Sequence, residues 1–212
     1  MKTCFVTSTG TEIGKTYVTC RLIEGLRANG ASVDAIKPVL SGFDPADAAA
    51  SDSGMILRAL GRQVDTANVE AISPWRFKAA LSPDMAAERE GARLTLEEVA
   101  AFCRKPRASV TLIEGAGGIM SPLGHDFTNL DLIAALGASA LLVAGTYLGT
   151  ISHTLTACEA VRPAAIVLSE SQQSPVDPEE TVATLARFTD VPIHIVRRNA
   201  SIPQRLIAML RA

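Results

Sequence analysis

Little in this sequence announces a specialised protein class. Its 20 basic and 22 acidic residues leave a formal net charge of −2. No global positive field is present to attract nucleic acid or an anionic membrane, and neither is expected as a partner. Cysteine is sparse: Cys4, Cys20, Cys103 and Cys158 lie far apart and never form C-x-x-C. That spacing argues against a zinc site or a disulfide framework and predicts reduced, half-buried thiols in a cytoplasmic protein. His125, His153 and His194 are scattered, no residue reads as a covalent nucleophile, and surface or capping roles are expected for the three. No signal peptide is expected, because the apolar part of "MKTCFVTSTG" gives way too soon to Thr and Gly. The uncharged stretch "LIAALGASALLVAG", Leu132 to Gly145, is shorter than the ~20 residues needed to span a bilayer. Gly137 also divides it into the end of a helix and the start of a buried strand. Internal repeats and low-complexity tracts are absent as well.

What is present is an ordinary globular composition, 48% hydrophobic and 20% charged over 212 residues, which predicts a single domain over 1–212. Six apolar, β-rich runs stand out: "TCFVTS", "SVDAIKPV", "SVTLIEG", "SALLVAGT", "AAIVLS" and "PIHIV". Several are continuous rather than alternating, as strands covered on both faces require. Helical segments separate them. Lys15 to Asn29 carries Val18, Leu22, Ile23 and Leu26 on one stripe and stops at Gly30. Thr150–Val161, Glu179–Phe188 and Pro203–Leu210 are similar in kind. Strand and helix alternating in this way predict an α/β fold: a doubly wound, mostly parallel sheet with helices on both faces, which Gly14-Lys15-Thr16 after the first strand makes P-loop NTPase-like. Ligands of such sheets bind at the carboxyl ends of the strands. From Phe43 to Arg107 the alternation breaks, and an insertion this long in a compact domain suggests function. Within it, Ser82 and Pro83 read as an N-cap and a first helical residue. "SESQQSPVDPEE" reads as an exposed loop.

Three motifs fall at the ligand edge. "TSTGTEIGKT" ends in the Gly-Lys-Thr of a phosphate loop, although Thr9 stands where G-x-x-x-x-G-K-[ST] wants glycine and Gly10 comes one step late. An apolar strand precedes it and an amphipathic helix follows, so backbone N–H groups and the helix dipole can cradle phosphate. Lys15 would neutralise the β/γ-phosphates and the Thr16 hydroxyl would bind Mg²⁺. "VTLIEGAGG" ends a strand at Glu114, a Mg²⁺-binding carboxylate in the Walker-B manner, and Gly117 and Gly118 allow close backbone approach. "IKPVLSG" puts Lys37 at the end of the second strand, a candidate fixed positive charge over reacting groups.

In this order, "TEIGKT", "KPVLSG" and "EGAGG" resemble the dethiobiotin synthetase family, ATP-dependent ligases of biotin biosynthesis. "SP" at Ser82 and "LGTISHTLTACEAV" are weaker echoes, and the resemblance spans Phe5 to Arg198. The family's loop glycine lies further upstream than the strict template demands. Here Ser8 stands at that glycine, Gly10 at a usual Asp and Ser152 at a usual Asn. The resemblance implies that Glu12, Ile13, Gly14, Lys15, Thr16 and Tyr17 hold the triphosphate of ATP or another nucleoside triphosphate. It implies that Asp52, Glu114, Gly115, Ala116 and Gly117 complete the nucleotide site, with Thr16, Asp52 and Glu114 as Mg²⁺ ligands. Lys37 and Lys15 would be catalytic, and Ser41 and Gly117 would contact substrate with Lys37. Leu148, Gly149, Thr150 and Ser152 would bind the substrate carboxylate from the partner subunit of a homodimer. Ser169, Arg197 and Arg198 would lie at the nucleotide base. The implied substrates are 7,8-diaminopelargonic acid, CO₂ and the nucleotide, joined through a carbamate and a carbamic–phosphoric anhydride into a urea ring.

The alternative is a switch-type P-loop ATPase of the partitioning or septum-positioning class, with the same sheet and loop. That class carries an additional lysine near the loop start, where this chain has Thr7, Ser8 and Thr9, and often a basic membrane helix. "SIPQRLIAMLRA" is short and only weakly basic.

Overall fold

The computed structural model describes residues 2–105, 107–171 and 176–211. In chain order its strands are β1 (Lys2–Ser8), β2 (Val33–Ile36), β3 (Val39–Leu40), β4 (Trp75–Arg76), β5 (Val110–Glu114), β6 (Ser139–Gly145), β7 (Ala165–Ser169) and β8 (Ile193–Val196). The helices are α1 (Lys15–Ala28), α2 (Asp52–Ala59), α3 (Thr66–Ile72), α4 (Pro83–Arg89), α5 (Leu96–Cys103), α6 (Asn129–Leu136), α7 (Thr150–Val161), α8 (Pro178–Leu185) and α9 (Gln204–Arg211).

The six expected runs form one sheet in the order β2-β5-β1-β6-β7-β8, every neighbouring pair parallel. The chain moves from β1 towards the β2 edge and later from β5 across β1 to β6, β7 and β8. Right-handed crossovers therefore put α1 on one face and α6, α7 and α8 on the other. Helix α9 packs on α1 and β1, closing the first face. Covered on both sides, β5 and β7 are buried along their whole length, and β6 at all but its first residue. Val18, Leu22, Ile23 and Leu26 form the buried stripe of α1. Phe5, Leu112, Leu141 and Ile166 are fully buried at the centre. Truncating Leu141 to alanine should cost about 3 kcal/mol through lost burial and the cavity left behind. A shift of the urea-unfolding midpoint at unchanged slope would measure it.

Strand β2 ends one residue before Lys37, close to where the sequence puts the strand end. "SVDAIKPV" does not run on as one strand: β2 stops at Ile36 and β3 begins after Pro38. Pro38 has no N–H to give the ladder, and Lys37 N instead donates to Ile72 O at 3.1 Å. The chain peels away and pairs with β4 in a small parallel sheet, Val39 opposite Trp75. The Phe43–Arg107 region thus carries β4, which pairs back onto β3 just ahead of it, and helices α2 to α5.

Smaller differences are at helix ends. Helix α7 has the expected bounds, whereas α8 ends at Leu185 and leaves Phe188 66% exposed. Gly137 does end α6, taking φ 58 before β6 begins. Ser82 occupies the N-cap position of α4, but its hydroxyl donates to the Asp84 carboxylate and caps no backbone N–H. The expected loop "SESQQSPVDPEE" lies partly outside the described residues. All four cysteines are free, Cys20 half-buried and the others buried. Burial pushes the thiols of Cys4, Cys20 and Cys103 up to about 12 and that of Cys158 to about 11, which makes them unreactive.

Candidate functional site

Parallel register brings the polar motifs to one edge. Val6 pairs with Glu114 and Ser8 with Val143, so the loop after β1 rises from between β5 and β6. Ile36 pairs with Ile113, so Lys37, one residue further, stands level with Glu114. Asp52 begins α2, held there by Ser51, whose hydroxyl accepts from Gly54 N at 3.1 Å and donates to Ala48 O at 2.6 Å.

Side chains meet at short distances. Thr16 Oγ1 donates to Glu114 Oε1 at 2.7 Å, and Lys37 Nζ donates to the same oxygen at 2.8 Å. Lys37 Nζ also lies 2.6 Å from Asp52 Oδ2. Glu114 is fully buried, and its Oε2 has no hydrogen-bond partner among the described residues. Such an orphan carboxylate oxygen, beside a second carboxylate and a hydroxyl, suits a hard divalent cation that takes oxygen ligands. Burial works to depress the Lys37 ammonium, but the charges of Glu114 and Asp52 outweigh it and raise its pKa above the ordinary lysine value. Burial alone would raise the Asp52 carboxyl; the facing Lys37 ammonium reverses this and holds it below its usual range.

The loop deviates from template without losing its cradle. Lys15 Nζ donates to Ser8 Oγ at 3.0 Å and to Gly10 O at 3.3 Å. Ser8, at the position of the missing glycine, thus anchors the lysine, and its hydroxyl also reaches Gly10 O. Lys15 is 7% exposed. Burial first, and the Lys37 charge second, lower its pKa to about 8. Gly14 has φ 95, and a Cβ there would stand 2.6 Å from Ser169 Oγ, so the loop needs glycine twice over. Glu12 takes φ 60, a left-handed conformation rare for glutamate.

A cleft of about 790 Å³ opens over these groups. It is lined by Glu12, Gly14, Lys15, Thr16, Tyr17, Lys37, Ser41, Asp52, Ala116 and Gly117 among the residues expected from sequence. Glu114 joins them from beneath through Lys37 and Thr16, while Gly115 and Ile13 do not line the cleft. Ser169, Arg197 and Arg198 collect at a rim beside it: Tyr17 OH donates to Arg197 O at 3.1 Å, and the Arg198 guanidinium sits 5.7 Å from the Tyr17 ring. Arg197 itself pairs with Glu170 and Glu179. Leu148, Gly149, Thr150 and Ser152 lie outside the cleft of their own chain. Gly149, at φ 98, caps α7, and the buried Thr150 hydroxyl donates to Gly145 O at 2.7 Å. Leu148 is 88% exposed. Nearby, Met120 and His153 border an apolar groove of about 540 Å³, and Tyr147 OH contacts His153 Nδ1 at 2.9 Å.

Sequence reasoning missed part of the wall. Leu40, Gly42, Met55, Ala80, Leu81 and Pro83 line the cleft. Leu40 and Gly42 fall inside "KPVLSG" and Ser82–Pro83 reads as a helix start, whereas Met55 on α2, Ala80 and Leu81 carry no motif.

A parallel, doubly wound sheet, with a Gly-Lys-Thr loop on its central strand and carboxylates converging on that loop's threonine, defines a P-loop nucleotide-binding protein of the α/β class. Residues 2–205 match the family described as AAA domain. The chain is 51% identical over 211 residues to the ATP-dependent dethiobiotin synthetase BioD of Caulobacter sp. strain K31, covering 95% of this chain and 90% of that protein. It is 49% identical to the same synthetase of Caulobacter vibrioides strain NA1000, covering 89% and 88%. Among solved structures, chloroplast FtsY of Physcomitrella patens aligns with a TM-score of 0.54 at 13% identity, covering 100% of this chain and 65% of that one. That likeness concerns the fold alone. The chain belongs to the ATP-dependent dethiobiotin synthetase family.

Proposed function

We propose that this chain is an ATP-dependent ligase that carboxylates 7,8-diaminopelargonic acid with CO₂ and closes the urea ring of dethiobiotin, a step of biotin biosynthesis. The observation that carries the reading is the convergence of Lys15, Thr16, Lys37, Asp52 and Glu114 at the base of one cleft. The family's identity supports it independently. One amine of the substrate takes up CO₂ as a carbamate; a carbamate oxygen attacks the γ-phosphorus, the nucleoside diphosphate leaves, and the resulting carbamic–phosphoric anhydride is attacked at its carbonyl carbon by the second amine, which closes the ring and expels phosphate. Lys37, with Ser41 beside it in the cleft, favours the anionic carbamate and holds it towards the phosphate. Lys15 and the loop N–H groups from Glu12 to Tyr17 receive the negative charge of the triphosphate.

Mg²⁺ fits as cofactor, with Thr16, Asp52 and Glu114 as its protein ligands; bound there, it would neutralise charge on the β- and γ-oxygens. Ser169, Arg197 and Arg198 flank the nucleotide base. Exposed Leu148 and the α7 turn through Ser152 fit a homodimer in which each chain offers Leu148, Gly149, Thr150 and Ser152 to its partner's substrate carboxylate. The N–H groups at the start of α7 suit that charge. The whole of 1–212 works as one domain. No described helix is long and apolar enough to cross a membrane, which agrees with a cytoplasmic setting.

The deciding assay supplies purified chain with diamine, bicarbonate, Mg²⁺ and each of four nucleoside triphosphates, and scores the urea-ring product. Phosphate release at full rate without the diamine would defeat the reading. A pH dependence should accompany binding. Because the Lys15 pKa stands at about 8 in the free chain, an anionic phosphate beside it must raise that value, so nucleotide binding takes up protons. Affinity should therefore weaken as pH rises above 8, by up to about tenfold per pH unit. Calorimetry in buffers of different ionisation enthalpy would measure the uptake, and Lys15→Met should abolish it.

A further inference from the structure

Asp52 and Glu114, two of the three groups assigned above to the divalent cation, are already engaged by a cation of the chain itself. Lys37 Nζ stands 2.6 Å from Asp52 Oδ2 and 2.8 Å from Glu114 Oε1, and the Thr16 hydroxyl is committed to that same Glu114 oxygen. The Lys37 side chain is 5% exposed and that of Glu114 0%. Water screens the buried Lys37–Glu114 contact little, although Asp52 keeps 36% of its side chain exposed, so a divalent ion approaching Glu114 meets strong repulsion from the seated ammonium. Remove the ammonium, and two carboxylates keep only the more distant Lys15 as counter-charge, which strengthens any site for a metal ion. Glu114 Oε2, buried and without a partner among the described residues, offers one oxygen that the lysine does not take.

We propose that Lys37 is the resident counter-ion of the metal site in the nucleotide-free chain, and that the metal–nucleotide complex displaces it. The inference rests on the metal reading given under Proposed function. The exchange makes loading of the metal and release of the lysine a single event. The freed ammonium then faces the Ser41 side of the cleft, where the carbamate is to form. Metal and nucleotide enter first, carbamate capture follows, and the metal alone binds poorly because it lacks the phosphates needed to complete the exchange.

The probe is Mn²⁺, followed by the electron paramagnetic resonance signal of the free ion, with and without ATP. The chains compared are the full-length protein, Lys37→Met and Lys37→Met/Asp52→Asn. Lys37→Met is expected to bind Mn²⁺ alone about tenfold or more tightly than the unaltered chain, and the second substitution to remove the gain. Equal or weaker binding of Mn²⁺ alone by a folded Lys37→Met chain overturns the exchange, provided all forms still bind Mn²⁺ with ATP. If no form binds Mn²⁺ even with ATP, the metal reading itself fails, and the exchange with it. Should Lys37→Met not fold, the unaltered chain with ¹⁵N-labelled lysine decides. The Lys37 Nζ resonance must move when Mg²⁺ and ATP are added together and hold its place with ATP plus chelator; an unmoved resonance overturns the proposal.

Discussion

Replacing Lys37 with alanine should lower turnover about 10³-fold, since a preorganised charge acts on the reacting groups, with affinity for nucleotide in the absence of divalent metal changed by no more than about threefold. Lys37 comes from the end of β2, not from the phosphate loop, and the loop's own anchoring of Lys15 by Ser8 and Gly10 does not involve it. The loss should therefore appear in kcat, in reactions containing diamine and bicarbonate, while titration with nucleotide alone stays nearly flat. Near-normal turnover in a folded Lys37→Ala chain would remove the lysine from the chemistry.

Lys15→Met should behave differently. Its ammonium sits inside the loop, so its removal is expected to weaken nucleotide binding and to slow the chemical step, lowering kcat/KM for the nucleotide by about 10³-fold or more. Stability should not suffer. Lys15 is 7% exposed, and burial holds its pKa down to about 8. An apolar side chain of similar length removes that desolvated charge and should leave the melting temperature unchanged or raise it. Nucleotide titration and thermal unfolding of one preparation separate the two effects. A Lys15→Met chain that binds nucleotide as tightly as the unaltered one would contradict the role assigned to the loop.

The sheet was legible because strands buried on both faces leave uninterrupted apolar runs, as in "SALLVAGT" and "AAIVLS", and because parallel strands need helices between them. The loop was legible from Gly14, Lys15 and Thr16 despite its displaced glycine. How it tolerates that displacement was not: Ser8 looks like any small polar residue until its hydroxyl is found bonded to Lys15. The partnership of Lys37 with Asp52 was equally hidden. Asp52 lies in a short, unremarkable "ASDSG", and it reaches Lys37 only because α2, which begins there, packs against β2. The end of β2 was legible from Lys37 and Pro38, but the separate pairing of Val39 and Leu40 with β4 was not, because two residues leave no pattern. The cleft wall from Ala80 to Pro83 depends on a two-stranded pairing too short to leave a period in the sequence.

Strand β1 lies at the middle of the sheet, yet both its neighbours are encoded far downstream, starting at Val110 and Ser139. During synthesis on the ribosome, Cys4 to Val6 must therefore remain without their lateral partners until most of the polypeptide has emerged. Long-range pairing of this sort slows maturation and leaves an adhesive apolar segment open to misassociation. Newly made chains should accordingly lean on chaperones, and they should gain their grip on nucleotide only after that downstream half has joined them.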